Sequence, residues 1–580
     1  MLMNIYNLVI TILRKIFYPR YIIVFYLKKF FFLNFVIKHF IKKFFSKHTN
    51  QHDIRVFWNR KYDINSYTHF KKFISRELGG EIRSCIKISS KQSYILKKTK
   101  VNSSLKLGFY FENSYKNKIK GFISVDENNT KNLVNLSDLT HNYWHEASIS
   151  LSSKKNFKIT NNTDSDLFFS YCKKNSQNKK IKNIIHLVLD SLDMHTLRDG
   201  KEKSLMPITN NFFKKSIVFE NCFSSSEWTL PWACSYLKGE MPSKHRLTDP
   251  KTSKRLMDPF KNNIFDLINK KNYSLIGFGP KPIFNPSWNN IQNFDKFYPT
   301  DGSFEKKLDL LNVSKKIIEH MEVNNSNNFF FAHLMDTHFP WSNRNSSEEF
   351  EMGTIRSCDP YSLYHSRLGQ QDTKAEPIFE KKIRKQLLRY SSVRLKTVDR
   401  NLSFLINFLQ NKNLLKNTVF ILSSDHGQTF HDGPRHLFNF KKTNVPLMIF
   451  HPDYKNIKVD KLVNNSIDLN HLVKKIINNQ HKSLLKSKID ISKTQKEIIS
   501  ESIYGNRYKI SIRSKKFTYH LSCFFDREQN IIDTNTTYYE NLFNFKETRK
   551  YKDKKIISNF RAILKKHLIK NFKGKISWFT

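Results

Sequence analysis

From about position 183 onward, apolar residues occur in short continuous runs that are separated by longer amphipathic stretches. The runs are Ile184–Leu189, Ser274–Phe278, Asn328–Leu334, Thr418–Leu422 and Pro446–Phe450. Strands that are apolar on both faces and are joined through helices are typical of a mostly parallel α/β sheet. The stretch Leu395–Leu409 repeats leucine or valine at positions i, i+3 and i+4, which predicts one of the connecting helices with its apolar stripe against the sheet.

A second pattern occupies residues 81–174. Short stretches of alternating apolar and polar residues are separated there by clusters of Asn, Ser and Lys, and they are Leu105–Phe111, Gly121–Val125, His145–Leu151 and Leu167–Cys172. Alternation at period two between closely spaced turns predicts an antiparallel β-sandwich. We expect an accessory module with a packing or spacer role, and carbohydrate binding is the alternative. The polar linker 173–182 leads from it into the α/β pattern.

Residues 1–52 contain nine Lys or Arg and no acidic residue, interleaved with aromatic and aliphatic runs. The longest uncharged run, Met1–Leu13, is shorter than the ~20 residues of a bilayer-spanning helix, and no small-residue cleavage site follows it. We interpret this segment as a basic amphipathic element that lies on an anionic membrane surface. The alternative is that its helices pack on the protein's own core.

The chain carries 99 Lys and Arg against 50 Asp and Glu, a formal net charge of +49. Such a charge attracts phosphate-rich partners. The excess is spread over the whole chain, so compositional drift is the simpler cause, and no nucleic-acid-binding motif accompanies it. The six cysteines form no CxxC pair and indicate neither a zinc site nor an oxidising compartment. We expect a peripheral membrane or cytoplasmic protein, without excluding export.

Polar residues with metal-binding chemistry follow two of the predicted strands. Asp190 comes directly after the first, and Asp425 and His426 follow the run Thr418–Leu422. Ligand sites in open α/β sheets lie beyond the carboxyl ends of strands. Together with a nearby hydroxyl, these groups would form a ligand set for a divalent cation such as Zn²⁺ or Mn²⁺. Taken singly, Asp190 is equally suited to cap a helix, and Asp425-His426-Gly427 to form a turn.

The hydroxyl is supplied by Thr229, which follows the strand-like run Ser216–Phe223 and opens a predicted helix. Pro231 suits an early helical position, and Gly239 can end a short helix. An anion can dock beside a hydroxyl placed at a helix N-terminus, where backbone N–H groups lack helical acceptors. The alternative role for Thr229 is a simple N-cap.

The spacing of Thr229, Pro231, Gly239 and Pro242 resembles the nucleophile motif of the sulfatase and alkaline-phosphatase superfamily. The resemblance runs from about residue 183 to residue 454, with fainter echoes in 508–519 and 539–547. It implies an alkaline-phosphatase-like, mostly parallel sheet flanked by helices, besides the β-sandwich and a small C-terminal α+β subdomain. The expected divisions are 1–52 for the basic segment, 81–174 for the sandwich, 181–455 for the sulfatase-like catalytic domain and 456–580 for the C-terminal subdomain.

The resemblance also implies roles for individual residues. Asp190, Thr229, Asp425 and His426 match the metal ligands, and Thr229 matches the nucleophile. Three histidines match positions that hold the anion or protonate the leaving group: His338, His436 and, as the least certain match, His431. His333 is expected to lie on a strand.

Two departures from the sulfatase pattern bear on the reaction. Sulfatases have Cys or Ser, modified to formylglycine, where this chain has Thr229, and they generally have a second Asp where it has Ser191. A threonine nucleophile is similar to that of lipoteichoic acid synthases and phosphoethanolamine transferases. Fewer acidic ligands favour Zn²⁺ or Mn²⁺, while Ca²⁺ or Mg²⁺ stays open.

We therefore expect a metal-dependent hydrolase or transferase that cleaves a phosphate or sulfate ester through a threonine nucleophile. Its substrate would be an anionic ester of a glycan, a lipid or a small molecule, and nucleic acid is not an expected partner. One alternative is a sulfuric ester hydrolase, that is, a sulfatase. An alternative of another class is an inactive membrane- or glycan-binding protein on a sulfatase-like scaffold.

The charge pattern of 1–52 predicts that this segment confers binding to anionic lipid vesicles. Each Lys or Arg near such a surface contributes about 1 kcal/mol of attraction, so binding should weaken as salt is added. Co-sedimentation of the full chain and of a truncated chain that begins near His52 measures the effect. Equal binding by both proteins would show that the segment is structural.

Overall fold

The computed structural model describes residues 68–69, 73–96, 103–111, 121–127, 130–134, 143–151, 157–172, 179–198, 204–248, 263–280, 294–300, 308–323, 326–338, 381–427, 438–478 and 496–579. The basic segment 1–52, for which membrane binding is predicted, lies outside these residues. Among the helices of the described residues, none is long and apolar enough to cross a bilayer.

The N-terminal strands form antiparallel pairs, as their period-two alternation predicts. They are β1 (Thr68–His69), β2 (Phe73–Leu78), β3 (Glu81–Ile88), β4 (Ser93–Leu96), β5 (Ser103–Phe111), β6 (Ile123–Glu127), β7 (Thr130–Val134), β8 (His145–Leu151), β9 (Phe157–Asn161) and β10 (Leu167–Cys172). One sheet has the order β3-β10-β5-β8 and the other the order β4-β9-β6-β7. The rings of Tyr94 and Phe169, one from each sheet, lie 5.8 Å apart. The predicted β-sandwich is confirmed.

The central sheet is built from the continuous apolar runs. Its strands are β11 (Asn183–Leu189), β12 (Ile217–Phe223), β13 (Ser274–Gly279), β14 (Lys296–Pro299), β15 (Asn328–Leu334), β16 (Thr418–Ser423), β17 (Leu447–Phe450) and β18 (Ile457–Asn464). Their spatial order is β18-β12-β17-β16-β11-β15-β13-β14, and β17 is antiparallel to both of its neighbours. The remaining pairs in this order are parallel. The predicted mostly parallel α/β sheet is confirmed.

The β-sandwich continues the central sheet edge to edge. Strand β14 pairs in antiparallel fashion with β3, where Phe297 lies opposite Ile82. Both side chains are fully buried. Sharing a strand edge with the central sheet removes an exposed edge from each, which protects both against unwanted pairing.

Helices cover both faces of the central sheet. They are α1 (Met194–Arg198), α2 (Pro207–Lys214), α3 (Thr229–Lys238), α4 (Pro242–His245), α5 (Ile264–Lys270), α6 (Leu310–Val323), α7 (Lys381–Asn411), α8 (Phe440–Thr443) and α9 (Ile467–Ile477). Helices α3, α5 and α9 pack with Ile184 on one face, whereas α6 and α7 pack with Ile185 on the other. The predicted apolar stripe of α7 is buried from Leu395 to Leu409. The helix is longer than predicted because polar residues extend it to Lys381.

The C-terminal subdomain is a mostly antiparallel sheet with one helix, an α+β unit as predicted. Its elements are β19 (Glu497–Tyr504), β20 (Arg507–Ser514), β21 (Phe517–Asp526), β22 (Ile531–Asn544), β23 (Lys550–Tyr551), α10 (Lys554–Asn571) and β24 (Lys575–Ser577). Of the pairs between these strands, only β22–β24 is parallel. Asp553 caps α10 by accepting the Ile556 N–H at 3.0 Å. The apolar face of the sheet packs on α10, where the rings of Tyr519 and Phe560 stack 5.5 Å apart.

A buried glutamate joins this subdomain to the segment after α3. Glu501 accepts hydrogen bonds from the Ser243 N–H at 2.7 Å and from the Tyr508 hydroxyl at 2.8 Å, and it lies 2.8 Å from His567 Nε2. Burial alone would raise the pKa of Glu501, but the charge and hydrogen bond of His567 and the bonds from Ser243 lower it to about 2. The carboxylate is therefore more stable in the folded than in the unfolded chain.

Replacing Glu501 by Gln should make unfolding less dependent on acid pH. Because the folded pKa is depressed, the carboxylate stabilises the fold above about pH 4.5, and this contribution is lost as the pH falls toward about 2. The full contribution of the Glu501 carboxylate to the free energy of unfolding is of the order of 3 kcal/mol. Urea midpoints between pH 6 and pH 3.5 should show the parent approaching the Glu501→Gln variant as the pH falls.

Asp460→Asn serves as the matched control, because Asp460 forms an exposed ion pair with Lys515 at 3.0 Å. A gap between parent and Glu501→Gln that stays constant with pH would contradict the assignment.

Candidate metal centre and active site

The predicted ligands meet because the strands that carry them are neighbours. Strands β16, β11 and β15 are adjacent and parallel, so their carboxyl ends lie at one edge of the sheet. Asp190 follows β11 directly, and Asp425 follows β16 after one intervening residue. Both carboxylates are fully buried.

The side chains of the four predicted ligands lie together. Thr229 Oγ donates a hydrogen bond to Asp190 Oδ2 at 3.2 Å. His426 Nε2 lies 3.5 Å from Asp425 Oδ2 and 3.9 Å from Asp190 Oδ1. The structure thus brings hydroxyl, imidazole and two carboxylates into one buried cluster at the sheet edge.

His333 joins this cluster, although it was not among the site residues predicted from the sequence. It lies on β15, as predicted, but its Nε2 is 3.4 Å from Asp190 Oδ2 and 3.5 Å from Asp425 Oδ2. The side chain is fully buried. A histidine within an otherwise apolar buried strand needs a polar partner, and that signal was present in the run Asn328–Leu334.

The cluster fits a divalent cation. Ligand atoms of Asp190, His333 and Asp425 lie within 4.8 Å of one another. Carboxylate oxygens and imidazole nitrogens are the donors that Zn²⁺ and Mn²⁺ take in proteins. Two buried carboxylates this close to the same imidazole would otherwise repel each other, and a cation compensates both.

Neighbouring charges and hydrogen bonds favour the ionised forms of Asp425 and His333. Burial alone would raise the pKa of Asp425, but His426, His333 and the Ser191 N–H hold it well below its usual value. Burial alone would lower the pKa of His333, whereas the bond to Asp425 and the charges of Asp190 and Asp425 leave it raised. The surroundings of Asp425 therefore keep its carboxylate ionised.

Ser191, which replaces the second Asp of the sulfatase pattern, links the two carboxylates. Its hydroxyl donates to Asp190 Oδ1 at 2.8 Å, and its N–H donates to Asp425 Oδ1 at 3.0 Å. Its φ of 63° lies in the left-handed region, which a residue other than glycine adopts at a cost of roughly 1–3 kcal/mol. The strained backbone aims the N–H at Asp425.

Thr229 is the first residue of α3 and not its N-cap. Trp228 occupies the cap position with extended backbone, and the first helical bond runs from Trp232 N–H to Trp228 O. The Thr229 hydroxyl is therefore directed to Asp190, so the alternative role as an N-cap is wrong. Gly239 ends the helix at a φ of 69°, as the motif predicts.

Backbone contacts fix the orientation of His426. Its Nδ1 lies 2.9 Å from the carbonyl oxygen of Gly427, which leaves Nε2 facing the carboxylates. A side chain at position 427 would meet Lys442 O at 2.7 Å and Asp193 Cβ at 2.8 Å. Only glycine fits this close approach to helix α8 and to the segment that precedes α1.

His338 follows the 3₁₀ turn Met335–Thr337, just beyond the end of β15. The Thr337 hydroxyl donates to the carbonyl oxygen of Asp190. The buried Arg394 of α7 holds the turn from its other side through the Asp336 carboxylate at 2.8 Å and the Asp336 carbonyl at 2.9 Å. His338 is thereby kept at the sheet edge that carries the cluster. His431 and His436 lie outside the described residues.

A family model named Sulfatase matches residues 182–476. The chain belongs to the sulfatase family. The match agrees with the resemblance read from the motif and makes the chain a member of a family of ester hydrolases. No curated protein sequence matches this sulfatase-family chain.

Solved structures of sulfatase-family proteins share the fold. The yidJ sulfatase candidate of Bacteroides fragilis superimposes with a TM-score of 0.52 at 14% identity, over 68% of this chain and 97% of its own. A sulfatase candidate of Bacteroides thetaiotaomicron and a protein described as a 2-O GAG sulfatase each give a TM-score of 0.50 at 14% identity, over 68% of this chain and 93% of theirs. At 14% identity these likenesses show a shared fold.

Removing the cluster's ligands should abolish metal binding while the fold persists. We expect about one or two divalent cations per chain in the parent and none in an Asp425→Asn, His426→Ala double variant. Asp399→Asn is the matched control, since Asp399 is a buried carboxylate that caps α2 through Thr209 N–H at 2.7 Å. Elemental analysis of the purified proteins, with circular dichroism for the fold, measures both. Equal metal content in the double variant would contradict the site.

Proposed function

We propose that this sulfatase-family enzyme is a metal-dependent hydrolase or transferase that cleaves a phosphate ester through Thr229. One observation carries the proposal. The Thr229 hydroxyl, placed at the first position of α3, donates to Asp190 within the cluster of Asp425, His426 and His333. A nucleophile needs a group that takes its proton, and Asp190 lies within hydrogen-bonding distance.

The first step forms a phosphothreonine. The Thr229 hydroxyl gives its proton to Asp190, its oxygen bonds to phosphorus, and the bond between phosphorus and the ester oxygen breaks. The departing alcohol takes a proton from His338. N–H groups of the first turn of α3 stabilise the negative oxygens on phosphorus. A divalent cation bound by Asp190, Asp425, His426 and His333 would acidify the hydroxyl and offset the charge of the ester.

The second step releases the enzyme. Water attacks the phosphothreonine and gives a proton to His338, while Asp190 returns its proton to the Thr229 oxygen as that oxygen leaves phosphorus. An acceptor alcohol in place of water makes the reaction a transfer. Both residues end the cycle in the protonation state in which they began it.

Threonine chemistry favours phosphate over sulfate. Sulfatases use the aldehyde hydrate of formylglycine, whose second hydroxyl expels sulfate by elimination, and Thr229 carries a single oxygen on its β-carbon. Sulfate-ester hydrolysis is the second candidate, because family membership and the shared fold leave it open. The cluster of Asp190, Asp425, His426 and His333 is intact, which disfavours the alternative of an inactive binding protein on a sulfatase-like scaffold.

The net charge and the fold favour an anionic ester as the substrate, whichever alcohol the ester carries. A net charge of +49 suits a polyanionic glycan or lipid ester, and the segment 1–52 would hold the enzyme at an anionic membrane surface. The 2-O GAG sulfatase shares the fold at 14% identity. A glycan ester is accordingly one of three substrate classes, beside lipid and small-molecule esters.

Thr229→Ala should lower turnover by several orders of magnitude with only a small shift in melting temperature, because it removes the covalent route. Thr229→Ser keeps an oxygen in place and should retain part of the activity. The measurement is turnover of aryl phosphomonoesters, phosphodiesters and sulfate esters by the metal-loaded parent and both variants. Mass spectrometry of quenched reactions should place a phosphoryl group on the peptide that contains Thr229.

Two outcomes would overturn parts of this proposal. An active Thr229→Ala variant, or an adduct on Ser226 or Ser235, would place the nucleophile elsewhere. A preference for sulfate esters by orders of magnitude would establish the second candidate.

A further inference from the structure

One buried side chain joins helix α3 to the loop that carries Asp425. Asn465 lies in the turn between β18 and α9 and is fully buried. Its Oδ1 accepts the indole N–H of Trp232 at 3.0 Å. Its Nδ2 donates to the carbonyl oxygens of Ser424 and, at 3.4 Å, Asp425.

The asparagine itself is held firmly. Its backbone N–H donates to the Phe223 carbonyl oxygen at 2.9 Å, at the end of the strand that leads to α3. The neighbouring Ser224 hydroxyl donates to the Asp425 carbonyl oxygen. The carbonyl oxygen of Asp425 is thus held by Asn465 Nδ2 and by the Ser224 hydroxyl. Ser224 follows the strand that leads to Thr229, and Asn465 bonds to the end of that strand.

Trp232 connects Asn465 to the cluster of metal-binding side chains. It lies one helical turn after Thr229, and its ring stacks on Tyr236 at 5.6 Å and near-parallel to His333 at 6.3 Å. A shift of the indole would therefore move the start of α3 and the packing of His333 together.

We propose that Asn465 is a positioning residue that sets the placement of Thr229 relative to Asp425. The inference rests on the proposed function, in which these two residues act in one metal site. Truncating Asn465 to Ala would leave a buried indole N–H and two carbonyl groups to find other partners, and the helix start and the Asp425 loop would move independently.

Asn470 provides a matched control. It is a fully buried asparagine on α9, and its Nδ2 donates to Tyr236 O at 2.6 Å and Leu237 O at 3.4 Å. These contacts fix the C-terminal end of α3, away from Thr229. Asn470→Ala should therefore loosen the same helix without disturbing the coupling.

Hydrogen exchange on the full chain tests the coupling without any need for activity. Asn465→Ala should speed exchange in peptides that cover both 229–232 and 424–427, whereas Asn470→Ala should speed it only around 236–239. Trp232→Phe removes the indole N–H and keeps a smaller aromatic ring in its place. It should speed exchange in the same two segments, which keeps the test valid if Asn465→Ala folds poorly. Unchanged exchange in 424–427 for both variants would overturn the proposal.

Metal affinity adds a second readout. Calorimetric titration with Mn²⁺ should show affinity reduced 10- to 100-fold by Asn465→Ala and changed less than about twofold by Asn470→Ala. Equal losses in the two variants would show that Asn465 acts only through stability. A parent chain that binds none of Zn²⁺, Mn²⁺, Ca²⁺ and Mg²⁺ would refute the proposed metal-dependent function, and the exchange comparison would still decide whether Asn465 couples the two segments.

Discussion

The structure depends on placing two like charges side by side in a buried site. Asp190 and Asp425 reach the same sheet edge because β11 and β16 pair in parallel, and His333 Nε2 lies within 3.5 Å of both carboxylates. In a medium of low polarity such a pair is tolerated only when cationic or hydrogen-bonding partners surround it. The histidines and the Ser191 backbone meet part of this requirement, and the proposed cation would supply the rest.

The frame around the carboxylates is built from short polar links between loops. Ser191 bridges both side chains, while Thr337 and Arg394 fix the turn after β15 from opposite sides. Asn465 and Ser224 hold the backbone of Asp425. Because all of these links except the bond from the Ser191 hydroxyl to Asp190 join segments that are distant in sequence, the cluster is positioned by the sheet as a whole rather than by a local motif.

The C-terminal subdomain takes part in this frame. The Ser500 hydroxyl donates to Ser224 O, and the Glu501 N–H donates to Ser225 O at 2.9 Å. Lys509 Nζ lies 3.9 Å from Glu227 Oε2, and both side chains are largely buried. Glu227 precedes Thr229 by two residues. One face of the subdomain's sheet packs on α10, and the other holds the segment that leads to Thr229. The subdomain therefore supports the active site in addition to closing the fold.

Sequence alone determined most strands of the central sheet and the polar residues at the ends of two of them, because buried parallel strands are apolar throughout and the polar residues after them share one edge. Asn328–Leu334 has the same bounds in sequence and structure, and Asp190 and Asp425 meet as predicted. The tertiary structure decided which residues that are distant in sequence come into contact. His333 enters the cluster because its register opposite Val188 and the pleat direct it there. Asn465 bonds both to helix α3 and to the loop that carries Asp425, and both are distant from it in sequence. Both depend on which strands pair, and no local pattern encodes that.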